Sequence, residues 1–215
     1  MSGRWRTLAL ILVTLGVLAW ALTQFRPFGP QNALTDPASV ARELLADAPG
    51  GGMGRTIKRT FPEEFETLTQ VVVERAKAGG GPAAVQEAAG AFVSAATLRH
   101  RASLAQAPVK QLRAYLAAEI ALAKQLAATS PERCAAYFAD PTNDAGWYVP
   151  DLRGLYLQQN IALWEAAAAA RDHAAGRTVT GASPRPLSCA EGLDALGKAA
   201  ALPDAEFGHV YPAML

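Results

Sequence analysis

The chain has 215 residues, with 20 Lys+Arg against 19 Asp+Glu for a net charge of +1, two cysteines and three histidines. No basic stripe or charged block runs through it, which argues against nucleic acid as a partner and against strong charge steering. So few histidines leave little for metal chemistry, and no cofactor is expected.

The first 26 residues decide the expected compartment. Arg4, Trp5 and Arg6 precede an uncharged run from Thr7 to Phe25, and Arg26 closes it. That run is about as long as the ~20 apolar residues needed to cross a bilayer core. As an uncleaved signal anchor it has Trp5 and Trp20 at its two interfaces, about 22 Å apart at ~1.5 Å per helical residue. As a cleavable signal peptide it has an apolar core from Leu8 to Leu18 and a small-x-small site at Ala19-Trp20-Ala21. The anchor is favoured, because the run continues through Leu22 with no charged break. No Cys follows the core, which argues against a lipoprotein, and Arg4 and Arg6 are not adjacent, which argues against a twin-arginine signal. Either way positive charge stays cytoplasmic. The amino terminus is therefore expected inside, and the rest of the chain outside the cytoplasmic membrane. In a bacterium that is the periplasm, with the domain held by residues 7–25 or released by cleavage near Ala21.

Cys134 and Cys189 are the only cysteines, and an even count in an exported domain predicts pairing. Closing a loop of this length stabilises a fold by roughly 4 kcal/mol in the chain-entropy treatment. Neither cysteine has a C-x-x-C or histidine companion, so no zinc site is expected.

The remaining elements follow in order. Pro27 to Thr35 reads as a polar tether. Asp36-Pro37 is an N-cap with proline at the first helical position, and a short helix through Asp47 places Val40, Leu44 and Leu45 on one side. Pro49 and the glycines at 50, 51, 52 and 54 are expected to end it. Gly50 to Thr56 superficially resembles a phosphate loop, with Arg55, Lys58 and Arg59 to attract an anion. It lacks the Gly-Lys-Ser/Thr ending and a preceding strand, so a flexible linker is expected. Residues 27–59 are thus read as tether and linker, and 60–215 as the domain.

Thr60-Phe61-Pro62-Glu63 has the form of a capping box, opening a helix to about Ala78 with Phe65, Leu68, Val72 and Ala76 on one face. Gly79-Gly80-Gly81-Pro82 stops it. Two long helices follow, Pro82 to Gln106 and Ala107 to Ala128, expected as an antiparallel hairpin bending near 106–108, where Pro108 fits a first turn. Ser130-Pro131-Glu132 opens a short helix carrying Cys134, Tyr137 and Phe138. Asp140 to Gly146 is a loop. The helix from Pro150 to about Ala175 has Leu152, Leu155, Tyr156, Leu163 and Ala166 on one side and Leu157, Ile161, Trp164 and Ala168 on the other. A helix apolar on two faces belongs inside a bundle. Gly176 to Pro186 is a loop, and a final helix from about Ser188 to Ala201 carries Cys189, Leu193 and Leu196. Pro203 ends it before a short tail. The expected fold is all-α: an irregular helical bundle preceded by an N-terminal transmembrane helix or signal peptide.

Glu119 is the most informative polar residue. It falls within the apolar arc of Leu112, Tyr115, Leu116, Ala123 and Leu126, where a carboxylate is costly unless paired. In the expected hairpin Arg99 faces it from about four residues away in level, so Arg99 and Glu119 form the candidate buried polar pair. A functional reading of the same place is a polar site with His100 and Ser103 nearby. His173 and His209 have no local partners at metal-ligand spacing, and Ser103 and Ser130 lack nucleophile-elbow glycines. Trp147 and Tyr148, adjacent aromatics on a loop, are the candidate interaction surface, unless they fold back onto the bundle end.

No catalytic constellation, metal set or cofactor loop is present in the sequence. The leading expectation is a membrane-tethered envelope module, non-catalytic, that holds, scaffolds or inhibits a protein partner. The alternative is a small-molecule or lipid-binding bundle, or an enzyme, with its site around Arg99, His100 and Glu119. A solvent-open pocket lined by these residues favours the alternative; a flat surface with exposed Trp147 favours the first.

Overall fold

Proline sets where many of the helices begin. In the computed structural model, which describes residues 34–46, 51–140, 149–173 and 187–213, Pro37, Pro62, Pro82 and Pro131 each open an α-helix. There the missing N–H is no loss and the fixed φ already suits the helix. The apolar run of residues 7–25, and Trp147 and Tyr148, lie outside the described residues. Within them the elements are α1 Pro37–Leu45, α2 Gly51–Thr60, α3 Pro62–Lys77, α4 Pro82–Arg101, α5 Val109–Thr129, α6 Pro131–Ala139, α7 Arg153–Asp172, α8 Cys189–Ala201 and α9 Asp204–Val210. Short 3-10 turns occupy Leu104–Gln106, Pro150–Leu152 and Tyr211–Ala213. There is no strand among the described residues, and no helix there is long and apolar enough to cross a membrane.

Side-chain caps fix several starts. Asp36 Oδ2 accepts from the Ser39 N–H at 2.9 Å, Ser130 accepts from the Arg133 N–H, and Ser188 and Glu191 form a reciprocal capping box on α8. Gly79, at φ 79°, takes the left-handed turn that ends α3, where the Gly80 N–H reaches the Arg75 carbonyl at 3.0 Å.

The layers are organised around α7. It packs against α2, α4, α5 and the turn Leu104–Gln106, and it buries Leu163, Trp164, Ala166, Ala167, Ala168 and Ala170. On one side α4 lies on α3 and α7; on the other, α5 packs along α7 and also meets α6 and α8. The expected hairpin of 82–106 on 107–128 is therefore not the arrangement adopted, because α7 is the shared neighbour of both helices. The link is not a tight bend. Its turn Leu104–Gln106 sits on α7, with Leu104 and Ala107 fully buried.

Three further expectations are corrected. The glycine-rich stretch is a helix, α2, with Met53, Thr56 and Ile57 buried. Its glycines permit close approach: a Cβ on Gly54 would sit 2.0 Å from the Leu44 carbonyl oxygen, and one on Gly52 3.5 Å from Ile161 Cδ1. Among the described residues the core accordingly includes Leu34, Val40, Met53 and Ile57, ahead of residue 60. Thr60 does not cap α3. It ends α2, and its hydroxyl donates to the Thr56 carbonyl at 2.7 Å; the N-cap of α3 is one residue later, Phe61, and makes no side-chain cap bond. Finally, the expected tail is α9 and a turn, with Phe207 and Tyr211 wholly buried.

Cys134 on α6 and Cys189 at the start of α8 are bonded, with sulfurs 1.97 Å and Cα atoms 5.2 Å apart. Beside them the Phe138 ring lies on Gly192, where a Cβ would meet ring atoms at 2.4 Å.

These contacts give substitutions of opposite sign. Gly90, on α4, has nothing within 4 Å of its added Cβ, so Gly90→Ala should gain about 0.5–1 kcal/mol from helix propensity and a less free unfolded chain. Gly54→Ala and Gly192→Ala should each lose about 1–3 kcal/mol by overpacking. Urea unfolding of the oxidised protein measures all three; a stabilised Gly54→Ala would show that α1 and α2 do not meet as described.

Candidate functional site

At the C-terminal end of α7 an open cleft of about 290 Å³ is enclosed by three segments. The α2–α3 junction supplies Phe61, and α7 supplies Ala167, Ala170 and Arg171. His100, Ser103 and Gln106 come from the end of α4 and the turn after it. Small alanines at the end of the central helix leave the space, and longer polar side chains border it.

His100 is the fixed point of the cleft. Its ring lies on Phe61 with centroids 4.0 Å apart and meets the edge of Trp164 at 4.6 Å. Its Nε2 is 3.0 Å from Glu64 Oε2, so with the carboxylate as acceptor Nε2 carries the proton. Arg99 Nη2 reaches the other Glu64 oxygen at 3.4 Å. Behind the ring, Trp164 Nε1 donates to Thr97 Oγ1 at 3.1 Å, and Thr97 donates to Asn160 Oδ1 at 3.4 Å. The Ser103 hydroxyl donates to the His100 carbonyl at 2.7 Å, so it is held by backbone rather than by the imidazole. Arg171 lies over Phe61 at 4.8 Å, donates through Nη1 to the Thr60 carbonyl at 2.9 Å and through Nε to Asp172 at 2.7 Å. The bond to Asp172 holds its guanidinium above its usual range.

A second polar group is buried between α5 and its neighbours. Glu119 is 5% exposed and is met by two hydroxyls: Tyr137 donates to Oε1 at 3.1 Å and Tyr211 to Oε2 at 2.5 Å. Gln159 Nε2 donates to the Tyr137 oxygen at 2.6 Å. The buried Tyr115 hydroxyl has no well-formed hydrogen bond among the described residues. Burial, and then the Glu119 charge, push the hydroxyls of Tyr115, Tyr137 and Tyr211 above the usual tyrosine range. Burial lowers the Arg101 guanidinium, but the fields of Tyr115, Glu119, Tyr137 and Tyr211 outweigh that and leave it raised.

The structure therefore separates the candidate pair. Arg99 is 57% exposed and bound to Glu64, while Glu119 lies in a tyrosine cluster. The cause is α7, which takes the position between α4 and α5 that the hairpin would have closed. His100 and Ser103 come together in the cleft; Arg99 reaches it only through Glu64, and Glu119 does not line it. His173 and His209 are exposed, and no group of three or more His, Cys, Asp or Glu side chains among the described residues is placed to hold a metal. Sequence reasoning missed Glu64, Phe61 and Arg171 as site residues, and Tyr211 as the partner of Glu119. The signal for Tyr211 was its spacing from Phe207, one helical turn apart after Pro203-Asp204.

Compared with protein-family models, with curated proteins and with solved structures, the chain matches none.

The tyrosine cluster fixes an alkaline limit on stability. Below about pH 10, tyrosines are protonated in both folded and unfolded chains. Above it the unfolded chain releases protons that Tyr115, Tyr137 and Tyr211 retain while folded, so stability falls as pH rises, by up to about 4 kcal/mol per pH unit for three groups. Tyr211→Phe should reduce that slope to about 3 kcal/mol per unit. Ultraviolet titration should show that three of the five tyrosines ionise only as the fold opens; all five ionising with the helices intact would refute the cluster.

Proposed function

We propose that the chain is a membrane-tethered, extracytoplasmic helical module that binds a small amphipathic molecule in the His100 cleft. The observation that carries this reading is the cleft itself, open to solvent, with an apolar part (Phe61, Ala167, Ala170) beside a polar part (His100, Gln106, Arg171). Ligand sites are concave and mostly apolar, with a few polar groups that fix orientation. Export is supported by the leader's charge asymmetry and by the disulfide, which belongs to an oxidising compartment.

The other reading, a module that holds or inhibits a protein partner, is drawn from the lack of catalytic or cofactor motifs, with an exposed surface at Trp147 and Tyr148 as the feature that would favour it. Trp147 and Tyr148 lie outside the described residues; among the described residues the large exposed apolar side chains are Leu98 and Val210. The ligand reading is therefore the better supported.

The chemistry of the cleft defines a probe. An aromatic ring burying about 100 Å² of apolar surface gains roughly 2.5 kcal/mol, which with one polar contact reaches millimolar affinity. Arg171 has Nε and Nη1 engaged within the protein, and its Nη2 can donate to an accepting head group. Saturation-transfer NMR with benzoate, benzyl alcohol and benzylammonium should rank them in that order. Gln106→Trp, which fills the cleft from one wall, should abolish the signal. Benzylammonium binding best would overturn the accepting head, and signals indifferent to Gln106→Trp would overturn the site.

The tether has its own test. A reporter active only outside the cytoplasm, fused after Leu215, should be active, and the protein should stay with membranes in alkaline carbonate. Activity of the converse, cytoplasmic reporter at the same position would overturn export.

A further inference from the structure

We propose that the C-terminal turn is a latch that positions one wall of the cleft, so that holding or releasing this turn regulates what the cleft binds. The turn Tyr211–Ala213 packs against the turn Leu104–Gln106. The latter turn, with Ser103 before it, supplies the cleft wall that carries Gln106. Tyr211 also donates to Glu119 on α5, so the latch is fixed to the bundle at a buried carboxylate rather than at the surface. Arg101, one residue after His100, lies in the field of the same carboxylate and of Tyr211. The end of α4 that carries the cleft histidine and the C-terminal turn thus share one anchor.

The latch is built to detach as a unit. On α9, Asp204, Ala205, Glu206, His209 and Val210 are exposed, while Phe207 and Gly208, and Tyr211 beyond them, are buried. Phe207 stacks on Tyr211 with centroids 5.1 Å apart and an interplanar angle of 15°. Arg113 clips the segment from outside: it donates to Asp204 at 2.8 Å and to the carbonyls of Ala200 and Leu202 at 3.1 and 2.5 Å, and lies over Phe207 at 4.2 Å. A short segment held by a limited set of such contacts can open locally below the global free energy. Opening here removes one of the two supports of the Leu104–Gln106 turn and leaves the other, α7, in place.

The consequence for a ligand rests on the binding reading of the cleft, whereas the coupling of the two turns does not. Amide hydrogen exchange of the full chain, purified from membranes, reads the coupling directly. Tyr211→Phe removes one hydroxyl bond to the buried carboxylate, and exchange across 204–213 and across 101–107 should rise together by roughly tenfold, with α3 and α8 unchanged. A rise confined to 204–213 overturns the latch, and so does an equal rise in every helix. If Tyr211→Phe does not fold, Arg113→Gln, which opens the clip without touching Glu119, is read by the same criterion with α3 alone as the unchanged reference, since Arg113 also caps the end of α8. In the ligand arm, benzoate should bind severalfold more weakly to the variant than to the parent. Unchanged benzoate binding with coupled exchange overturns the regulation. No benzoate signal in the parent overturns the binding reading and the regulation with it, and the exchange result alone then decides the coupling.

Discussion

α7 carries apolar side chains on two opposite faces, and neither can be left in water. One face takes Trp164, fully buried with its indole N–H given to Thr97; the other takes Leu163 and the alanines that follow. Covering both requires neighbours on each side, which is why α2 and α4 lie against one part of α7 and α5 against another. The order of layers follows from this constraint, with α1 to α4 on one side of α7 and α5, α6 and α8 on the other. So does the cleft. An alanine-rich helix end lets neighbouring backbones come close, but it cannot fill the space where they diverge, and the divergence at Ala167 and Ala170 is where Phe61 and His100 meet.

Glu119 shows how a carboxylate is kept inside such a bundle. A single arginine at contact distance would bring a second charge out of water, and the desolvation of two ions often exceeds their attraction. Tyrosine hydroxyls solve the problem differently: they donate to both oxygens while their rings pack as apolar surface. Arg101 balances the charge through its field, with no direct ion pair to Glu119.

Much of this was legible in the sequence, and what was not shares one cause. Proline and glycine marked the ends of α1, α3, α4 and α6 because their backbone restrictions are local. The burial of Glu119 followed from periodicity, and the pairing of Cys134 with Cys189 from their count and the leader. What escaped was which surfaces meet. The helix period places Arg99 and Glu119 each on a face, but nothing local says that α7, fifty residues on in the chain, will stand between them. The glycines of α2 failed for the same reason. In isolation Gly52 and Gly54 weaken a helix; only the approach of Leu44 makes an absent side chain an advantage. Nothing in the local sequence around Glu64 or Arg171 points to the cleft; only His100 and Phe61 beside them make them part of it.

Alanine and leucine packing is non-directional, and a core made of it tolerates several relative rotations of its helices. The polar groups of this bundle remove that freedom. Tyr137 from α6 and Tyr211 from the last turn donate to one carboxylate of α5, and Gln159 from α7 donates to the Tyr137 oxygen. Rotating any of these elements by one residue would leave a buried oxygen or hydroxyl without its partner, at a cost larger than an apolar side chain would pay for the same shift. The disulfide ties α6 to α8 covalently but does not reach α7 or the cleft. The tyrosine–carboxylate group links the disulfide side of the bundle, through Tyr137 and Gln159, to α7, the helix whose Trp164 meets the His100 ring.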